Sequence, residues 1–129
     1  MSEKMEIMVV DDEIQITDLL KTFINLHTQN ANVHVFNDSV EALDYLRSNH
    51  VDMLITDYQM PRVNGITLLE SADPSSKKVL VSGYVSEIAE EKLGRLNAEF
   101  FEKPVKLVAL GNLISQHEKC CIPEPHSSK

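Results

Sequence analysis

Cysteine and long hydrophobic runs are scarce in this sequence. Its only cysteines, Cys120 and Cys121, are adjacent in a polar, proline-containing stretch, so they can form neither a disulfide framework nor a tetrahedral zinc site. No apolar run approaches the roughly 18 residues of a membrane span. The first residues, Met1-Ser2-Glu3-Lys4, lack the charged and apolar blocks of a signal peptide. We therefore expect a cytoplasmic protein with reduced cysteines.

Positive charge is also scarce. Lysine and arginine number 12 against 20 acidic residues, which gives a net charge of -8. This balance disfavours electrostatic binding to nucleic acid or to an anionic membrane, whereas clusters of carboxylates attract cations. The 129 residues, 43% of them apolar, suit one domain with a single core.

Short apolar runs alternate with stretches of helical periodicity along the chain. The runs predict five strands, at 6–10, 33–36, 53–56, 78–81 and 100–102, and the periodic stretches predict five helices, at 13–27, 38–48, 66–71, 86–96 and 105–116. Right-handed crossovers convert such a βα repeat into a five-stranded parallel sheet, doubly wound with helices on both faces. Prolines after residue 117 predict a folded domain over 1–117 and a flexible tail or linker over 118–129.

Two helix starts carry capping signals. Asp38 with Glu41 three positions later matches a capping box, and Ser86 can cap the fourth helix.

The strands of a parallel sheet all end at one edge, and polar residues follow four of the predicted strands. They are Asp11 and Asp12, Asp57, Ser82 and Gly83, and Lys103. Three crowded carboxylates repel one another unless protons or a divalent cation neutralise them, and oxygen-only ligands suit Mg²⁺. Taken singly, each residue also has a plain structural reading, as a turn, a helix-start acid or an exposed strand-end lysine.

With Mg²⁺ bound, Asp57 becomes a candidate nucleophile toward phosphorus. The metal and Lys103 can offset charge on the transferring phosphoryl group, and the product is an aspartyl phosphate. The Ser82 hydroxyl and the Gly83 amide can donate hydrogen bonds to the phosphoryl oxygens.

As an ordered set, these motifs resemble the receiver domain of two-component response regulators. The resemblance runs from residue 6 to about 117 and rests on Val9-Val10-Asp11-Asp12-Glu13, Asp57-Tyr58-Gln59-Met60-Pro61 with Gly65, Val81-Ser82-Gly83, and Lys103-Pro104. It implies a flavodoxin-like, CheY-like fold. It also implies that Asp57 accepts a phosphoryl group from a histidine kinase or phosphotransfer protein, with Mg²⁺ or Mn²⁺ as cofactor. Such a domain catalyses only its own phosphorylation and dephosphorylation.

The resemblance also implies roles for single residues. Asp12 ligates the metal directly, Asp11 does so mostly through water, and Gln59 contributes its main-chain carbonyl. Lys103 pairs with the phosphate, and its bond to Pro104 is cis.

The family's readout is a switch at the helix 4, strand 5 and helix 5 face, which contacts a downstream protein or a linked output domain. By resemblance, Ser82 moves toward the phosphate and Phe100 swings inward behind it. Plain core packing is the alternative role for Phe100. The chain departs from the family pattern in having phenylalanine rather than the commoner tyrosine at position 100, and only 25 positions from Asp57 to Ser82, which predicts a trimmed third helix. Gln59 and Tyr84 occupy positions that tune hydrolysis of the acyl phosphate, in a direction that the sequence leaves open.

Two other functions stay open at this point. A phosphatase of the haloacid dehalogenase type also uses a strand-end aspartate, magnesium and a lysine, but it needs a second aspartate where Gln59 stands. The second open function is that of a scaffold that never becomes phosphorylated. The five histidines, His27, His34, His50, His117 and His126, are expected to have structural or solvent-facing roles.

Overall fold

The computed structural model describes residues 4–83 and 87–121, which form one sheet of five parallel strands between two layers of helices. The strand order is β2-β1-β3-β4-β5. The elements in chain order are β1 (Met5–Val10), α1 (Ile14–His27), β2 (Ala31–Phe36), α2 (Ser39–Ser48), β3 (Met53–Asp57), α3 (Gly65–Ser71), β4 (Lys77–Ser82), α4 (Glu87–Leu96), β5 (Glu99–Glu102) and α5 (Leu107–Cys121). The predicted fold class is confirmed.

The central strand β3 is buried at every position, from Met53 to Asp57. It pairs with β1 on one side and β4 on the other, which explains its continuous apolar sequence, because a central parallel strand has helices over both faces. The edge strands β2 and β5 are less buried, in keeping with their position.

Two apolar clusters hold the helices on the sheet, one on each face. Alternate strand residues pack against α2, α3 and α4 on one face and against α1 and α5 on the other. The first cluster includes Met8, Leu54, Leu80 and Leu93, and the second includes Ile7, Ile55, Leu20 and Leu110.

Helix α2 begins where the sequence predicts. The Asp38 carboxylate accepts hydrogen bonds from the amides of Val40 and Glu41. Helix α3 is also capped, because the Asn64 side chain accepts a hydrogen bond from the amide of Thr67. This cap was not predicted from the sequence. At seven residues α3 is short, as the spacing predicted. Ser86, the predicted cap of α4, lies outside the described residues, as does Tyr84.

The predicted bounds of α5 are wrong at both ends. The helix begins at Leu107 rather than at residue 105, with a first helical hydrogen bond from the Leu110 amide to the Lys106 carbonyl. It ends at Cys121 rather than near residue 116. The added turn is held to the sheet, because His117 Nε2 lies 2.8 Å from the carbonyl oxygen of Asp52. Both cysteines therefore lie in a helical turn rather than in an irregular tail.

Among the helices described, none combines the length and the apolar character that crossing a lipid bilayer requires.

Candidate functional site

The strand register brings the predicted site residues to the carboxyl edge of the sheet. Val10, the last residue of β1, pairs with Thr56, so Asp11 and Asp57 follow side by side. Asp57 in turn pairs with Val81, and Ser82 pairs with Glu102, which directly precedes Lys103. Residues that are far apart in sequence therefore lie next to one another at the carboxyl edge of the sheet.

Three carboxylates converge at this edge. Asp11, Asp12 and Asp57 each offer an oxygen atom, and these atoms lie within 4.8 Å of one another. Asp11 and Asp57 are buried, at 3% and 7% exposure, whereas Asp12 is exposed. The cluster thus has two enclosed members and one that faces solvent, which leaves an open side for a ligand.

Lys103 is the basic member of the site. Its Nζ lies 3.3 Å from Asp57 Oδ2 and 3.7 Å from Asp11 Oδ2. Burial works against its positive charge, but the carboxylates of Asp11 and Asp57 outweigh burial and raise the pKa of Lys103. Its amide donates to the Ser82 carbonyl, and its bond to Pro104 is cis, as the resemblance implied.

The two enclosed carboxylates resist ionisation. Burial raises the pKa of Asp11 to about 6, with Asp57 adding repulsion. Burial likewise raises the pKa of Asp57, although Lys103 pulls it in the other direction. One amine therefore does not neutralise the cluster, and its donor set of carboxylate oxygens fits a hard divalent cation such as Mg²⁺.

The main chain around Asp57 is fixed by close packing. The Tyr58 amide donates to the Val81 carbonyl, and the Gly65 amide donates to the Tyr58 carbonyl. A Cβ atom at Gly65 would lie 2.2 Å from the Asp57 carbonyl oxygen, a separation that no side chain permits. The glycine in this motif is therefore required by the approach of α3 to the end of β3.

The remaining predicted residues lie around this core. Ser82 ends β4 and is 3% exposed, whereas Gly83 is exposed and has open space where a Cβ would stand. Gln59 is exposed in the loop that follows Asp57. Phe100 is 41% exposed while Phe101 packs into the core, which excludes plain core packing for Phe100.

Asn37 also lies at this edge, although nothing in the sequence singles it out. Its Nδ2 lies 2.9 Å from both the Asp11 carbonyl and Thr17 Oγ1, so it fixes the loop that carries Asp11. Its partners are 20 or more positions away, and no local pattern could have identified them.

Comparison with known proteins agrees with this geometry. Residues 7–115 match the family model for the response regulator receiver domain. Protein MrkE of Klebsiella pneumoniae is 26% identical over 117 residues, covering 91% of this chain and 43% of the relative. The regulatory protein VanRc of Enterococcus gallinarum is 39% identical over 70 residues, covering 54% of this chain and 29% of the relative. The chain thus spans less than half the length of these two curated relatives.

A solved structure shares the fold. It is a CheY-like response regulator receiver domain protein from Methanospirillum hungatei JF-1, with a TM-score of 0.80 and 26% identity, and the match covers 91% of this chain and 98% of that one. Because the family model spans most of the sequence, the chain belongs to the response regulator receiver domain family.

Proposed function

We propose that Asp57 is the phosphoacceptor of this receiver domain and that the chain serves as a phosphorylated module of a two-component relay. The observation that carries the proposal is the contact between the enclosed Asp57 carboxylate and Lys103, 3.3 Å apart, beside two further carboxylates. A buried acid at the end of a strand, with an amine beside it, is placed for chemistry rather than for packing.

In the proposed reaction a carboxylate oxygen of Asp57 attacks the phosphorus of a phosphohistidine. An oxygen–phosphorus bond forms, the nitrogen–phosphorus bond breaks, and its electron pair returns to the imidazole nitrogen. Lys103 places positive charge beside the transferring group. The Asp11, Asp12 and Asp57 carboxylates, with the Gln59 main-chain carbonyl, would hold Mg²⁺ or Mn²⁺, whose charge offsets that of the phosphoryl oxygens when the ion is bound.

The remaining assignments follow from the same proposal. The Ser82 hydroxyl and the Gly83 amide bind phosphoryl oxygens, and Ser82 with Phe100 switches the face formed by α4, β5 and α5. The half-exposed ring of Phe100 supports this role, since it is not fixed in the apolar core. The domain comprises residues 1–117, and 118–129 form its tail or the start of a linker, with the helix continuing through Cys121.

The proposed partners are proteins in the cytoplasm. Upstream is a histidine kinase or a phosphotransfer protein, and downstream is a separate protein or a covalently linked output domain. The domain itself contacts neither nucleic acid nor membrane, in keeping with its net charge of -8. Its catalysis is confined to forming and losing its own aspartyl phosphate.

The phosphatase alternative is disfavoured by Gln59. An amide cannot supply the proton that a second aspartate gives to a leaving group, so repeated turnover of phosphate esters lacks its general acid.

Incubation with acetyl phosphate and Mg²⁺, followed by intact-mass measurement, tests the proposal. We expect one added phosphoryl group on the wild type and none on Asp57→Asn. Asp18→Asn, a change at an exposed acid of α1, is the matched control and should be labelled like the wild type. An unlabelled wild type would favour a scaffold, and steady turnover of a generic phosphate ester would favour a phosphatase.

A further inference from the structure

The loop between β3 and α3 contains a strained turn. Arg62 has a backbone φ of 73°, in the left-handed region that side chains other than glycine rarely adopt. The Val63 amide donates to the Pro61 carbonyl at 2.8 Å, closing a three-residue γ-turn around Arg62. The form of γ-turn with positive φ is the rare one, and it persists only where the surrounding structure holds it.

The hydrogen bonds that hold this turn come from the start of α2. The sheet and α3 fix the ends of the loop through Tyr58 and Gly65. Across the described part of the chain, every hydrogen bond that joins residues 59–63 to another element involves Asp38 or Ser39. Met60 and Val63 also pack against the apolar cluster on that face, but the hydrogen bonds from the middle of the loop to other elements depend on two residues that supply no ligand to the site.

Ser39 is the enclosed member of this pair, with 5% exposure. Its hydroxyl donates to the Pro61 carbonyl at 2.6 Å and accepts from the Val63 amide at 3.2 Å. One hydroxyl thus bonds to both main-chain groups that close the γ-turn around Arg62. The Arg62 guanidinium also reaches Asp38 at 2.7 Å, but its side chain is 61% exposed, so this ion pair contributes little.

We propose that Ser39 is a positioning residue for the metal site, because it fixes the loop that carries Gln59. This inference rests on the proposed function, in which the Gln59 carbonyl is a metal ligand. Gln59 lies two residues before Pro61, whose carbonyl receives the Ser39 hydroxyl bond. Releasing that bond lets the turn relax and moves the carbonyl of Gln59 away from the position that binds the cation. Outer-shell groups that orient ligands typically change metal affinity by about tenfold or more when removed.

A titration of ¹⁵N-labelled protein with Mg²⁺, followed by amide chemical shifts, tests this role. We expect Ser39→Ala to raise the Kd for Mg²⁺ about tenfold. The matched control is Ser76→Ala, which removes another enclosed hydroxyl, 6% exposed, that donates to the Val51 carbonyl at 2.6 Å at the opposite end of the sheet. It should leave the Kd within about twofold of the wild type, because its carbonyl partner is remote from the carboxylates.

An unchanged Kd for Ser39→Ala, or equal weakening in both variants, overturns the positioning role. If Ser39→Ala does not fold, hydrogen exchange in the wild type decides the matter. Mg²⁺ should then slow exchange of the Val63 amide more than that of the Ser76 amide, which donates to the Asp73 carbonyl. Equal slowing, or none, counts against the proposal. A wild type that binds no Mg²⁺ at all refutes the proposed function instead.

Discussion

Asp11 and Asp57, the two enclosed acids at the carboxyl end of the sheet, have raised pKa values, whereas Glu6 and Asp73 at the amino end have lowered ones. All four side chains carry the same chemical group on the same scaffold. The difference lies in what surrounds each carboxylate when the chain folds.

Donors surround the acids at the amino end. Burial opposes ionisation of Glu6, but hydrogen bonds from His34, with 2.6 Å between His34 Nε2 and Glu6 Oε1, and from Asn32 outweigh it and lower the pKa. Asp73 accepts from both the amide and the hydroxyl of Ser75, and these bonds lower its pKa. Each of these two carboxylates therefore has hydrogen-bond donors beside it.

At the carboxyl end, two enclosed carboxylates share one amine. Asp11 accepts the Glu13 amide, yet burial outweighs this bond. Even at this end, the amides of Glu41 and Val40 lower the pKa of Asp38. Unmatched charge is therefore confined to the enclosed pair Asp11 and Asp57, which is the pattern expected of a functional site.

The largest effect should come from Asp11→Asn, which removes charge at the unmatched end while keeping an acceptor for the Glu13 amide. A folded pKa near 6 against an ordinary 3.8 costs stability once the pH exceeds both values. Each pKa unit corresponds to about 1.4 kcal/mol, and the folded value already includes the attraction to Lys103. Without divalent cations at pH 8, we expect the free energy of unfolding to rise by about 1–3 kcal/mol.

The pH dependence of this gain follows from the sign of the shift. Below pH 3.8 the carboxyl group is protonated in both folded and unfolded wild type, so the variant has no advantage there. As the pH rises from about 4 through 6, ionisation of Asp11 destabilises the wild type but not the variant, so the difference between the two grows. Urea unfolding at a series of pH values measures the difference. A variant less stable than the wild type at pH 8 would contradict the comparison.

The next effect is that of Mg²⁺ on the wild type. A cation that binds the folded state at ten times its Kd stabilises it by about 1.4 kcal/mol. We expect this gain in urea unfolding at pH 8 and a smaller gain for Asp11→Asn, which has lost one carboxylate ligand. Sodium chloride at matched ionic strength is the control. An equal gain from sodium would show general screening rather than a site at the carboxyl end.

The position of the charged residues at the carboxyl end could be predicted from the sequence. The apolar run that ends in Asp57 indicates a strand buried on both faces, and the βα alternation predicts that Asp11, Asp57 and Lys103 meet at one edge. Their spacing of 3.3–3.7 Å confirms that convergence. The cis bond before Pro104 came from the family resemblance, because no local pattern distinguishes it from a trans bond.

What could not be predicted depends on contacts between distant residues. Ser39 reads as the first residue of a helix, and only the folded chain shows its hydroxyl against Pro61, 22 positions away. The end of α5 was placed too early because the bond from His117 to Asp52 spans 65 positions. The half-exposure of Phe100 is likewise set by packing rather than by strand alternation, which gives only the side of the strand.

The smallest effect, with the opposite sign, should come from Glu6→Gln at the amino end. The folded pKa of Glu6 lies below its ordinary 4.5, so its stabilising effect is present above that pH and is lost as the pH falls through the folded value. The side chain is 34% exposed, and solvent screening limits the loss at pH 7 to about 0.5 kcal/mol. Glu70→Gln, at an exposed position of α3, is the control in the same urea experiment and should change nothing measurable. Glu6→Gln could instead stabilise the protein, as Asp11→Asn is expected to do. Unmatched negative charge would then be a property of the whole molecule rather than of the carboxyl end.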